Sequence, residues 1–153
     1  LNVFSAVELA SLATKEMVKR KSGHIILNAS CLSKFAVPHN GAYCGSKSAL
    51  ESIAKSMRME LKKSNVFVST VHPIGTKTEF FKESSSRSGT EFSDFEKNYP
   101  AWLMQPPEKV AKAVVKCLRK PKPEIWTNTP MRLISTLFTA FPRVGSIIIT
   151  RFS

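Results

Sequence analysis

Apolar residues along the chain change their period several times, and each change marks an element. Val3, Phe4, Val7, Leu12 and Val18 recur near helical spacing. Lys19, Arg20 and Lys21, followed by Gly23, supply the basic last turn and the glycine that stop a helix. His24 to Ala29 is a short apolar run with the length of a buried strand. A loop from Ser30 to Asn40 contains Pro38, and beyond it Ala49, Leu50, Ile53, Ala54, Met57 and Leu61 mark a long amphipathic helix over Gly41 to Lys63. Val66 to Val71 reads as a second strand, ended by His72-Pro73. Helices and strands in alternation predict βαβ crossovers and a parallel sheet.

No strong period is visible over 75–106, and Ser84 to Gly89 is polar. An excursion of that length inside a compact domain predicts a lid or binding loop. From Pro107 to Arg119 a helix returns, with Glu108 in its first turn and Val110, Val114, Val115 and Leu118 on one face. Pro121 and Pro123 stop it, and Glu124 to Thr127 predicts a third strand. The pattern divides the chain into 1–128 and an apolar tail, 129–153, interrupted at Pro142-Arg143. Helical periodicity begins at Leu1 with no cap before it, which predicts a chain cut from something larger.

Composition narrows the classes. The 153 residues suit one domain, and 42% hydrophobic with 22% charged residues excludes wholesale disorder. The net charge of +12 permits anionic partners. Its basic runs, Lys19–Lys21 and Lys62-Lys63, sit at predicted helix ends and are not interleaved with aromatics, so no nucleic acid is expected. Cys31, Cys44 and Cys117 are odd in number and lack ligand spacing. They predict a reducing compartment on the cytoplasmic side, with no disulfide framework. His24, His39 and His72 have no partner at ligand spacing, so no metal is expected. No apolar run reaches the roughly 18 residues of a membrane span.

Tyr43 and Lys47 lie four apart, which stacks them on one face of a helix. A phenol is a poor acid or base at neutral pH, and a nearby cation favours its ionised form. Such a pair alone is usually a solvated surface contact. Three further features accompany it. Ser30 ends the first strand, Asn2 sits on the preceding helix, and Pro73 ends the second strand ahead of Gly75 and Thr78. Ligands bind at the carboxyl ends of parallel strands.

Together these residues resemble the short-chain dehydrogenase/reductase family in its NAD(P)-dependent form. The resemblance runs from Asn2 to about Trp126 and corresponds to the family's second half. It implies a Rossmann-type, doubly wound parallel α/β sheet, incomplete because the N-terminal half is missing. It also implies an oxidoreductase that interconverts a small-molecule carbonyl and an alcohol with NAD or NADP. By resemblance, Tyr43 is the general acid/base, Lys47 binds the nicotinamide ribose and lowers the Tyr43 pKa, Ser30 donates to the substrate oxygen, and Asn2 holds a relay water. Pro73, Ile74, Gly75, Thr76 and Thr78 form the cofactor loop, and His39 lies in the loop lining the substrate pocket. The family pairs the helices at 2–21 and 41–63 across a dimer interface, which implies a homo-oligomer.

Two departures stand out. Ala29 replaces the first serine of a common pair, and Ile74 replaces the usual glycine of the downstream loop. The glycine-rich phosphate turn is absent, so this chain alone is expected to be inactive. The tail stays open between two readings: a cover for the substrate cleft, or a surface segment with Arg132, Arg143 and Arg151 facing anionic lipid. A bulky apolar tail suits a lipophilic substrate. The rival functions are an inactive binding scaffold of the same fold and a basic membrane-associated module.

Overall fold

A computed structural model describes residues 2–79 and 103–151. Helix α1 (Phe4–Lys19) leads into β1 (Gly23–Asn28), a 3-10 turn (Cys31–Ser33) and α2 (Gly41–Glu60). After β2 (Val66–His72) come β3 (Gly75–Thr76), β4 (Met104–Gln105), α3 (Pro107–Arg119), β5 (Glu124–Trp126), α4 (Thr129–Ala140) and α5 (Pro142–Arg151). β1, β2 and β5 form one parallel sheet in that order, with Gly23 opposite Val66 and Thr70 opposite Glu124.

Side chains of a strand alternate between faces, so each face feeds its own core. On one side Ile25, Leu27, Val66 and Val68 pack with Ala10 of α1 and Ala54 of α2. On the other, Ile26, Val71 and Ile125 meet Val110, Ala113, Val114 and Cys117 of α3. Helices on both faces of a parallel sheet are the doubly wound arrangement. A third cluster, Cys31, Ile74 and Met131 with Phe35 and Trp126, lies beneath α4 at the carboxyl end of the strands.

Several boundaries differ from expectation. Lys21, in the left-handed region at φ 51, ends α1, whereas Gly23 opens β1. α2 stops at Glu60 rather than Lys63, because Lys62–Ser64 tightens into a 3-10 turn that Asn65 closes at φ 53. The interrupted tail is two helices, with Pro142 opening the second. Most of the expected lid falls on 80–102, outside the described residues. Its two flanks pair in parallel, Gly75 with Met104 and Thr76 with Gln105, so the excursion leaves and returns at one place. Gly75 permits that approach, since a Cβ there would lie 2.9 Å from the Leu103 carbonyl oxygen. No helix among the described residues is long and apolar enough to cross a membrane.

Candidate active site

β1 ends at Asn28, and the chain then turns tightly at Ser30. Ser30 is extended and caps the 3-10 turn that follows, its Oγ accepting from the Leu32 amide at 3.2 Å. Its carbonyl accepts from the Ser33 amide at 3.0 Å, and the next amide, Cys31 N–H, donates to the Pro73 carbonyl at 3.0 Å. The turn after β1 is thereby fastened to the turn after β2. Tyr43 and Lys47 enter from the first two turns of α2. The Ser30 hydroxyl acts on the Tyr43 phenol and favours its ionised form. Lys47 Nζ donates to the Asn28 carbonyl at 2.8 Å and lies 5.7 Å from the centre of the Tyr43 ring. Ser30, Tyr43 and Lys47 therefore meet at the carboxyl end of β1.

The electrostatics differ from the sequence expectation at one point. Burial pushes the Tyr43 phenol above its ordinary value, the Ser30 hydroxyl pulls it back only partly, and Cys31 and Cys44 add to the rise. The Lys47 ammonium addresses the face of the ring and the Asn28 carbonyl. Burial also lowers Lys47 itself. Both shifts have the sign that a water-poor site gives to a phenol and an ammonium. Burial likewise pushes the Cys31 thiol up to about 11, which leaves it unreactive at neutral pH.

The other expected residues are scattered around this centre. Pro73 touches it through the Cys31 amide. Ile74, where a glycine was expected, turns its side chain into the cluster with Cys31 and Met131, which explains how the larger residue is accommodated. Thr76 Oγ1 donates to the Ile74 carbonyl at 2.8 Å, and the exposed Thr78 donates to the Thr76 carbonyl at 3.4 Å. His39 is exposed, in the left-handed region at φ 61, where the Asn40 amide closes a turn on Val37 at 3.3 Å. Asn2 does not sit on α1 as expected. It is exposed in the turn ahead of Phe4.

The model of the short chain dehydrogenase family matches residues 1–89, well over half of the chain. This chain belongs to the short-chain dehydrogenases. A "Dehydrogenase/reductase SDR family protein 7-like" from Drosophila melanogaster is 32% identical, over 82% of this chain and 38% of its own length. Retinol dehydrogenase 8 from Bos taurus is 28% identical, over 86% of this chain and 47% of its own. The chain thus spans less than half the length of these relatives. Among solved structures, a short-chain dehydrogenase from Burkholderia cenocepacia in complex with NADP superposes with a TM-score of 0.76 at 19% identity, covering 97% of this chain and 55% of that one. One from Sphingobium yanoikuyae in complex with NADPH gives 0.70, also at 19% identity, over 95% and 54%. The shared fold is Rossmann-type, and the three-stranded sheet here is a part of it.

Sequence reasoning missed the polar group behind Ser30. Glu51 is buried on α2, four residues past Lys47 and eight past Tyr43, so one face of the helix carries all three. That spacing was a readable signal. Lys34 and Glu124, whose side chains meet at 2.8 Å, lie 90 residues apart and offered none.

Proposed function

We propose that this chain is the catalytic half of an NAD(P)-dependent oxidoreductase that interconverts a carbonyl and an alcohol. The observation that carries the reading is the convergence of Ser30, Tyr43 and Lys47 at the carboxyl end of β1, with the Lys47 ammonium over the Tyr43 ring and bonded to the Asn28 carbonyl. In this reading Tyr43, protonated at neutral pH, gives its proton to the oxygen of a carbonyl substrate and takes one back from an alcohol. Ser30 turns its O–H from Tyr43 to the substrate oxygen and stabilises the charge that grows there. Pro73 to Thr78 border the reacting centre.

The donor set suits the nicotinamide end of the cofactor. An ammonium carries three donors, and among the described residues Lys47 spends one, on Asn28. The remainder suit ribose hydroxyls, and the Thr76 and Thr78 hydroxyls suit a carboxamide. When bound, the nicotinamide supplies or accepts the hydride. The six glycines of the chain, at 23, 41, 45, 75, 89 and 145, form no phosphate-cradling cluster. The 153 residues by themselves are therefore read as inactive and weak in NAD(P) binding.

A lipophilic substrate is favoured by what flanks the site. α4 packs on the Ser30 turn: Phe138 meets Phe35 edge-on at 5.3 Å, and Thr139 donates to the Lys34 carbonyl at 3.3 Å. Its outer side and that of α5 expose Leu133, Leu137, Phe141, Val144 and Ile147. Arg132, Arg143 and Arg151 accompany them, and no acidic residue follows Glu124. The same surface supports a second reading, peripheral contact with an anionic membrane. Exposed Phe4, Leu9 and Leu12 on α1 favour a homo-oligomer. The test of activity follows reduced-nicotinamide absorbance when the intact protein meets fatty aldehydes, retinal and a steroid ketone. Turnover of one of them supports the reading, and NAD(P)H binding without turnover of any would favour the scaffold.

A further inference from the structure

Behind Ser30 lies a buried polar cluster that proton transfer at Tyr43 does not use. His72, at the end of β2, is fully buried, at 0% exposure. Its Nδ1 faces the Ser30 carbonyl at 3.0 Å and Ser33 Oγ at 3.2 Å. Ser33 Oγ donates to Glu51 Oε2 at 2.7 Å, so towards His72 that hydroxyl can only accept. The Nδ1–H tautomer follows, shared between the Ser30 carbonyl and the Ser33 hydroxyl. Nε2 then accepts from the Thr70 hydroxyl at 2.9 Å. Trp126 of β5 stacks on the ring at 4.5 Å and 9° and fixes its plane.

Glu51 anchors the other end. It is salt-bridged to Lys34 and, at 2.7 Å, to Lys55. Burial alone would raise its carboxyl, but the bonds from Lys34, Lys55 and Ser33 outweigh that and keep it ionised. Ser48, also on α2, donates to the Ser33 carbonyl at 2.8 Å. The helix that carries Tyr43 and the turn that carries Ser30 are thus locked in one register by buried bonds. Breaking one of these leaves a buried polar group unpaired.

We propose that Glu51, Ser33 and His72 form a positioning unit that holds Ser30 against Tyr43. None of the three touches substrate or cofactor in this scheme. The proposal rests on the reading of Ser30 and Tyr43 as the reacting pair, and its signature is the titration of Tyr43. The Ser30 hydroxyl favours the phenolate, so a displaced Ser30 raises the midpoint further.

The intact protein, labelled with ¹³Cζ-tyrosine, reports that midpoint by NMR without cofactor or substrate. The Tyr43 signal is assigned by its loss in Tyr43→Phe, and far-UV circular dichroism confirms the fold over the pH range. Ser30→Ala is the reference and is expected to raise the midpoint by roughly 0.4–1 unit, one hydrogen bond's worth. His72→Leu and Ser33→Ala are expected to move it the same way. His72→Asn, whose amide nitrogen takes the place of Nδ1–H, is expected to restore it. If His72→Leu does not fold, Ser33→Ala and His72→Asn decide the matter. A midpoint unmoved by His72→Leu and Ser33→Ala, while Ser30→Ala raises it, overturns the positioning unit alone. A midpoint unmoved by Ser30→Ala overturns the Ser30–Tyr43 pairing and the proposal with it.

Discussion

Replacing Glu124 by glutamine removes one charge from a site where the structure permits the cost to be worked out. Glu124 Oε1 accepts from Lys34 Nζ at 2.8 Å and Oε2 from the Trp126 indole at 2.8 Å. Burial would raise the carboxyl, yet these bonds and the Lys34 charge hold it well below its usual 4.5, at about 2. A depression of about 2.5 units corresponds to roughly 3 kcal/mol of folding stability at 1.36 kcal/mol per unit. The side chain is 26% exposed, so solvent screening argues for about half of that, ~1.5–2 kcal/mol. The sign follows from the depressed value. The contribution is complete above the unfolded carboxyl's pKa near 4.5 and fades as pH falls towards 2. Glutamine keeps one acceptor, but its amide N–H₂ must face either the ammonium or the indole N–H. Thermal unfolding followed by circular dichroism should show Glu124→Gln melting roughly 3–8 °C below wild type at pH 7. The gap should close between pH 5 and pH 2. A gap equally wide at pH 7 and pH 2.5, or none at pH 7, would refute the ion-pair reasoning.

Gly75→Ala drives a methyl against the Leu103 carbonyl and should cost about 1–3 kcal/mol in urea unfolding, by parting β3 from β4. Unchanged stability would mean that β4 yields freely. Leu137→Glu with Phe141→Glu should abolish sedimentation with phosphatidylserine vesicles if α4 and α5 lie in a membrane surface, and wild-type binding should weaken with salt. Binding unchanged by the double substitution would remove that surface as the contact. Calorimetric titration of the 153-residue chain with NADPH should give no saturable micromolar binding, and such binding would contradict the division of the cofactor site.

The parallel sheet was legible because its strands are short apolar runs between amphipathic helices. The Val66–His72 strand and the Pro107–Arg119 helix follow their apolar periods closely. The tail was not legible as helices. α4 and α5 each bury little, and exposed Leu133, Leu137, Val144, Ile147 and Ile148 spread apolar positions well beyond one stripe. Pairing of β3 with β4 involves two residues on each side and leaves no pattern to read. At the site, Tyr43 and Lys47 were legible from spacing along one helix, and Ser30 from its place at a strand end. What escaped was non-local. The position of Lys34 between Glu51 and Glu124, and the stack of His72 on Trp126, exist only once distant segments have been brought together. Asn2 was misplaced by a few residues, because α1 begins at Phe4 and no capping side chain marks its start.

In the proposed mechanism the Tyr43 phenol moves the proton while Lys47 serves the cofactor. Steady-state turnover and NADPH dissociation, measured side by side on intact Tyr43→Phe and Lys47→Ala proteins, test it most directly. Tyr43→Phe is expected to lower turnover by about 10²–10⁴ with cofactor affinity unchanged, and Lys47→Ala to lose both. Tyr43→Phe turnover within about tenfold of wild type would contradict it, since a group that moves the proton is worth more than that.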